Sequence, residues 1–577
     1  MAVDNGLAED GAPIYSAGVR NTCPMTPAPE EKPTPSRPWR LGLDRVTGRA
    51  ARRLVAMPGA PDARRQDWAR VAAIRLLEQG RDDEGDEVVR VALGRIQSRQ
   101  VAAELLSEVV DWGLSRGRQP ALATQAVAAL LAVADQHQAQ QRYTEAAAAF
   151  ERAMRVAFHR VLHFDHPRSP LADDPAGFTA PLRTSEVAKV LRAPRGRVRA
   201  VGRPSGEPAR PTRLLIITRK NADFLGEIRE HFEKHPDFET RFMDLPDAKV
   251  LTQFSKDPTA AIEQLLAGRD RFADRADRLL RPHLDWADVV FVEWCTSLAA
   301  LMTLVDPRDT RVVVRLHSYE AFTQWPHLMD FSRVDDVVFV SEHLRDLAAA
   351  AIPAMSEPGA PRLHVLPLAM ELGRFRRPKP GSSRFTIGLV GASKVVKDPR
   401  WAIDVLRELR RHDERYRLQL IRGKLQHDKS AATQEYADRL ELDVQELGAG
   451  VEVLGHTDDV PTALEQVGVV LSSSTRESFH IGLVEGAASG AVPVVRNWPY
   501  FPGAARSLFP PEWVVDSPQE AAQRILEATG SEEKWQQVGS KASEHVIDRW
   551  DWPRVRSRYE ELLRAEVGPG FRRDAGA

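Results

Sequence analysis

At 577 residues the chain exceeds what one hydrophobic core accommodates, so several folded units are expected. Its 80 basic and 81 acidic side chains leave a formal charge of -1, which excludes a global field drawing it to nucleic acid or to an anionic membrane. Two cysteines, Cys23 and Cys295, exclude a disulfide framework and a cysteine-based metal cluster, and the acidic opening MAVDNGLAED lacks the order of a signal peptide, so a cytoplasmic location is predicted.

Residues 1–60 crowd Pro27, Pro29, Pro33, Pro35 and Pro38 among glycine, alanine and charge, and read as a disordered tail. From 61 to 165, Leu, Val and Ala recur at spacings of three and four, which predicts an all-α module; its longest apolar run, 121–134, is alanine-rich and too short to span a bilayer. Val133, Ala134, Tyr143, Ala146, Phe150 and Ala153 resemble a tetratricopeptide repeat, with a generic helical hairpin as the alternative, because a lone repeat cannot bury its faces. Such a module is a candidate for binding a protein partner. Residues 166–210, rich in Pro and Arg, read as a solvated linker that leaves the module separable; the basic stretch 192–213, with Arg192, Arg195, Arg197, Arg199 and Arg203, is a candidate for peripheral contact with anionic lipid.

Short β-branched runs then alternate with helical ones. Strands are predicted at 214–218, 289–292, 312–316, 337–340 and 364–366, with helices such as 225–232 and 342–351. A second set has strands at 386–390, 417–421, 451–454, 469–471 and 492–494, and helices at 399–411, 434–447 and 519–528. The fold class is therefore α/β: two Rossmann-like domains in tandem, 211–380 and 381–547, after the helical-repeat-like module.

Within TRESFHIGLVEGAASGAVPVV, residues 475–495, Glu477 and Glu485 stand eight apart across a loop-to-helix turn. The first amides of that helix have no carbonyl partner and its dipole is positive there, so it suits a diphosphate. Glu485, about one turn inside, suits the hydroxyls of a ribose. Two glutamates at this spacing mean nothing on a solvated helix, but the segment resembles the Glu-x7-Glu signature of retaining glycosyltransferases of family 4 and their glycogen-synthase relatives. Glu477, Phe479, Gly482, Glu485, Ala488, Ser489, Gly490 and Pro493 occupy matching places, while Ser478 and His480 replace two glycines. The resemblance implies the GT-B architecture, with Glu477 reaching the transferred sugar and Phe479, His480, Ile481, Gly482 and Glu485 at the donor.

Strand 386–390 runs into GASKVVKD, similar to the family's Gly-Arg-x-x-x-x-Lys-Gly turn that grips the diphosphate. Lys397 falls on the lysine; Ala392 replaces the arginine, leaving Lys394 or Arg422 to supply the second charge. His317 ends strand 312–316, where open parallel sheets bind ligands. Family members carry a histidine there, which implies a role in stabilising an oxocarbenium-like transition state; a buried structural histidine is the alternative. Glu293 and Trp294, after strand 289–292, and Arg219 and Lys220, after the first strand, are acceptor-side candidates. VLPLAMELGRF, 365–375, resembles the interdomain connector, and 548–565 the terminal helix that crosses back, leaving 566–577 as a tail. No Asp-x-Asp ends a strand, so neither metal nor cofactor is indicated beyond the nucleotide sugar as co-substrate. The expected activity is retaining transfer of a sugar from a nucleoside diphosphate to an unidentified acceptor in glycan or polysaccharide synthesis. The alternatives are a helical scaffold carrying an inactive domain, or another GT-B reaction such as an epimerase or a phosphorylase.

Overall fold

The computed structural model describes residues 48–198, 210–357, 359–421, 430–455, 457 and 459–564. Cys23, Arg199, Arg203, Arg422 and both outermost segments lie outside them. No helix of the described residues is long and apolar enough to cross a membrane.

Strands β1 (Thr212–Thr218), β2 (Phe238–Asp244), β3 (Val289–Glu293), β4 (Arg311–Leu316), β5 (Asp336–Phe339) and β6 (Arg362–Val365) form a parallel sheet ordered β2-β1-β3-β4-β5-β6. Strands β7 (Thr386–Val390), β8 (Arg417–Ile421), β9 (Val451–Val453), β10 (Val469–Ser472), β11 (Val492–Arg496) and β12 (Val514–Val515) form the second, ordered β12-β11-β10-β7-β8-β9. This is the two-domain GT-B architecture expected. Residues of β3, β4 and β5 are buried throughout, as parallel strands covered on both faces must be. β2 was not anticipated: as an edge strand it reads FETRFMD, with charge interrupting every apolar run. In each sheet the strand order reverses at one point, between β1 and β3 and between β7 and β10, and crevices at such points take ligands.

The helix Trp552–Arg564 crosses back as expected. Val555, Tyr559, Leu562 and Leu563 join Leu214, Ile216 and Phe291 in one core. Its entry is pinned to the connector, where Trp552 N–H donates to the Met370 carbonyl at 2.8 Å and Leu372 N–H to Asp551 Oδ1 at 2.8 Å.

The N-terminal helices depart from expectation. Gly48–Val55 is a helix with Ala51 and Val55 buried, so structure begins inside the stretch read as a tail. Ala123–Ala139 and Tyr143–Ala157 form the expected hairpin, with Ala146, Phe150 and Ala153 buried. The stretch read as a solvated linker folds into Pro170–Asp173, Pro175–Thr184 and Glu186–Arg192, capped by Ser169, Asp174 and Ser185. Leu171, Leu182, Val187 and Leu191 are buried there, an apolar set that its prolines and arginines obscure. Arg195 reaches Asp330, and Arg197 donates to Asp335 at 2.9 Å, so these two arginines are engaged by the first domain. Arg210 and Arg213 likewise meet Asp288 and Glu239.

Nor does the module stand apart from the first domain. Tyr143–Ala157 packs on Thr259–Leu266, Pro175–Thr184 packs on Glu342–Ala351, Arg183 donates to the Ala350 carbonyl, and one apolar cluster runs through both units. Burial of a large apolar side chain is worth about 1.5–3 kcal/mol, and the helix Thr259–Leu266 alone buries Ile262 and Leu266. Deletion of residues 1–198 is expected to lower the melting temperature sharply or to cause aggregation. A truncated protein that stays monomeric and melts with the full chain would show the contact to be dispensable.

Candidate active site

The second-domain side of the site is assembled at the β7/β10 reversal. The turn after β7 enters the helix Pro399–Arg410 through Asp398, left-handed in its backbone (φ 44°), whose carboxylate accepts from Arg496 Nη1 at 2.6 Å and from the Tyr436 hydroxyl at 2.7 Å. Ser473, just past β10, donates from Oγ to the Lys397 carbonyl at 2.5 Å, and Thr475 N–H donates to the Val396 carbonyl at 2.8 Å. The two loops are thus laced together, and Lys397 Nζ makes an ion pair with Glu477 Oε1. Ser474 Oγ donates to the same oxygen at 2.7 Å. Burial alone would raise the Glu477 pKa, but Lys397, His480 and Ser474 outweigh it and hold the group at about 2, ionised at any physiological pH.

The following helix, Ile481–Ala488, points its N-terminus at this pair. Close approach to the sheet requires glycine at two positions: a Cβ on Gly482 would come within 2.6 Å of Val390 Cβ, and one on Gly486 within 2.4 Å of Val470 Cγ2. Glu485, half-buried, stands one turn inside. His480 precedes the helix in the left-handed conformation (φ 68°), which accounts for the glycine usual there. The histidine offsets that strain by accepting from Leu483 N–H at 2.9 Å through Nδ1, which leaves Nε2 as the protonated nitrogen, 3.5 Å from Glu477 Oε1. Burial pushes His480 down to about 4, so the ring is neutral.

The first-domain side is built on β3 and β4. His317 Nε2 lies 2.8 Å from Glu293 Oε1, and its ring sits 4.1 Å from Trp294 and 5.2 Å from Phe224. The other Glu293 oxygen accepts from Arg315 Nε at 2.7 Å. Arg315 also donates to the Tyr559 hydroxyl at 3.2 Å and the Phe224 carbonyl at 2.9 Å. Burial lowers the His317 pKa, against the pull of Glu293. Glu320 Oε1 accepts from Cys295 N–H at 2.9 Å and His317 N–H at 3.3 Å, while its Oε2 is buried without a partner among the described residues. Burial raises Glu320 to about 8, so the carboxyl keeps its proton near neutrality.

The halves meet directly. His343 Nε2 lies 2.7 Å from the Glu477 carbonyl oxygen, and the Arg476 guanidinium sits 4.7 Å from the centre of the Phe322 ring. The N-terminal helices reach the same place: Phe322 packs with His163 at 5.8 Å and Phe164 at 6.2 Å, and Phe164 stacks on Tyr319 at 5.1 Å.

Two expectations need correction. Glu293 is not free to bind an acceptor, because both carboxylate oxygens are engaged and the group is fully buried; it positions His317. The Phe479 side chain turns into the core against Trp550, 5.3 Å away, so no side-chain contact with a donor is available. Trp294 is half-buried beside His317 and donates to the Asn221 carbonyl at 3.1 Å. Arg219 donates to Ser297 Oγ at 3.3 Å, and Lys220 is exposed near Asp247. Lys394 is exposed and Ala392 buried in the second-domain core, so the second cation of the turn does not come from position 392. Arg315, Tyr559, Glu320, His343 and Arg476 were not foreseen as parts of the site; an arginine interrupting the otherwise apolar run VVVRL was the signal available.

Residues 384–530, which include Lys397, Glu477 and Glu485, match the family described as Glycosyl transferases group 1, and this supports glycosyl transfer as the chemistry of the second domain. No curated protein matches the chain significantly. Among solved structures, HepE of Anabaena in complex with UDP and glucose is 15% identical, covering 61% of this chain and 99% of that one at a TM-score of 0.45. An E. coli structure described as trehalose-6-phosphate bound with UDP-2-fluoro glucose is 14% identical, covering 62% and 100% at 0.47. Sucrose-phosphate synthase from Thermosynechococcus elongatus is 14% identical, covering 61% and 98% at 0.43. The fold assignment rests on the two sheets and not on these likenesses.

Glu320 provides a test of the electrostatics around His317. Its folded-state pKa is raised from the ordinary 4.5 to about 8, so its stabilising contribution is complete below pH 4.5 and declines as pH rises toward 8. The decline is at most about 1.4 kcal/mol per pH unit. Glu320→Gln cannot ionise, so denaturant unfolding at pH 5 and pH 8 is expected to show the variant gaining on the wild type at the higher pH. A difference independent of pH would mean that the carboxyl ionises in the fold as it does in the unfolded chain.

Proposed function

We propose that the protein is a retaining, metal-independent glycosyltransferase that moves a sugar from a nucleoside diphosphate to an acceptor hydroxyl in glycan or polysaccharide synthesis. One observation carries the reading: the Lys397–Glu477 pair stands at the N-terminus of Ile481–Ala488, with Glu485 one turn further, inside the segment matching the group 1 family. The helix amides and Lys397 receive the diphosphate, whose charge grows as the glycosidic bond breaks, and one such preorganised contact is worth about 3–4 kcal/mol. Glu485 accepts from the ribose hydroxyls and Glu477 from the sugar. His317, held by Glu293, faces the sugar from the first domain and favours its developing positive charge. The acceptor oxygen bonds to the anomeric carbon on the face the phosphate leaves, and the departing phosphate oxygen takes the acceptor's proton. Amides and Lys397 meet the leaving charge, so no step calls on a metal ion.

The buried Ala392 favours a second reading, an inactive domain carried by the helices, because the expected arginine is missing at that position. Thermal shift with a panel of nucleotide sugars, followed by donor hydrolysis in excess chelator, separates the two. The transferase is expected to be stabilised by one donor and to turn it over without added metal. A strict need for magnesium or manganese would remove the metal-independent mechanism.

Glu485→Gln exchanges an acceptor for an amide donor in a charged hydrogen bond worth about 1.5–3 kcal/mol. Donor affinity should fall roughly tenfold to a hundredfold, for the free nucleoside diphosphate as well as the intact donor. Glu477→Gln should weaken the intact donor while sparing the free diphosphate. Calorimetry with both ligands checks this division, and equal effects of the two substitutions on the free diphosphate would refute it. Lys397→Ala is expected to lower both donor affinity and turnover, as single-turnover kinetics would show.

A further inference from the structure

Four arginines are buried among the described residues, and three of them have evident partners. Arg65 donates to the carbonyls of Val55, Met57 and Ala60; Arg311 pairs with Asp336; Arg315 pairs with Glu293. Arg476, 7% exposed, differs. No hydrogen bond or ion pair holds its guanidinium among the described residues, and Nη1 is buried without a partner. Its contact is the face of Phe322, which cannot satisfy N–H donors aimed elsewhere. Glu477 and the exposed Asp173 act on it from beyond ion-pair reach, and Glu477 Oε1 is already taken by Lys397 and Ser474. Burial lowers its pKa to about 10, still charged at neutral pH. A desolvated cation without a counter-ion is destabilising unless something else supplies the charge.

We infer that Arg476 anchors an anion subsite, receiving a phosphate or carboxylate group carried by the acceptor. This deepens the proposed function and rests on it. The planar guanidinium fork matches both groups, and a buried one binds them more strongly than a solvated lysine does. Position argues for the acceptor over the donor. Lys397 is engaged within the second domain by Glu477, whereas Arg476 rests on Phe322 of the first domain, five residues beyond His317. The N-terminal helices complete that wall through His163 and Phe164, and Tyr319, 48% exposed and stacked on Phe164, offers a flat apolar face to a sugar ring.

The test is calorimetric titration of the full chain with glucose 6-phosphate and with glucuronate, glucose serving as the uncharged control. Each is run before and after saturation with whichever of UDP and GDP binds. One or both anions are expected to bind more tightly than glucose, with and without nucleotide, and the preferred one identifies the group. Arg476→Gln should weaken that anion roughly tenfold or more, with Arg476→Lys in between and nucleotide affinity changed by less than roughly twofold. Anion affinity no better than that of glucose, or equal in wild type and Arg476→Gln, overturns the inference. So does displacement of the anion by nucleotide, which would make Arg476 part of the donor site. Failure of both nucleotides to bind would count against the proposed function alone, and the titrations of the ligand-free chain would then decide on Arg476. Thermal melts exclude unfolding as a cause; if Arg476→Gln does not fold, the affinities of Arg476→Lys decide.

Discussion

Arg315 interrupts the apolar run of β4 without any solvent exposure, so its charge has to be met inside the protein for the strand to lie where it does. Removing an ion from water costs several kcal/mol, which is offset only by good geometry and full hydrogen bonding, and removing one partner of such a pair costs about 3–5 kcal/mol. The partners of Arg315 come from separate parts of the chain: Glu293 from β3, the Phe224 carbonyl from the loop after β1, and Tyr559 from the helix that crosses back. Glu293 in turn orients His317, and the Tyr559 hydroxyl donates to the Pro367 carbonyl of the connector at 2.6 Å. A single buried cation therefore sets the histidine at the end of β4 and fastens the crossing helix.

Much of this was legible in the sequence, for a physical reason. Strands covered on both faces, such as β3, β4 and β10, must be apolar at consecutive positions, and this marks them without knowledge of their neighbours. The Lys397 turn and the Glu477 loop were readable because a strand-turn-helix order places both at one sheet edge. What stayed hidden depended on partners distant in sequence. Glu293 ends a strand as a ligand-facing carboxylate would, and only Arg315 and His317 reveal that both its oxygens are spent. Phe479 holds a motif position, but Trp550 decides which way the ring turns. Proline and arginine dominate the composition of 166–210 and conceal the four apolar residues that dock it.

The helical region belongs to the architecture of the cleft and is not an appendage. Its apolar side continues the core of the first domain, and its short helix Arg160–His163 brings His163 against Phe322, on which Arg476 also rests. With His343 meeting the Glu477 carbonyl and Arg476 on Phe322, the loop that carries Glu477 touches the first domain at two points. A shift of the helices relative to the first sheet would be felt at that loop through Phe322, without any flexible tether intervening.

The crossing helix also constrains how the protein is made. Tyr559, Leu562 and Leu563 complete a core that includes Leu214, Ile216 and Phe291, translated more than 250 residues earlier. Domains ordinarily fold as units as they leave the ribosome, N-terminal first. Here the first sheet emerges with part of one face, the part beyond the helix Gly226–Lys234, uncovered and Arg315 lacking its tyrosine, and both persist until the second domain and Trp552–Arg564 have been synthesised. The first Rossmann-like domain is thus finished after the second although it is encoded before it, and a nascent chain stalled before Trp552 would present the uncovered part of that face to chaperones.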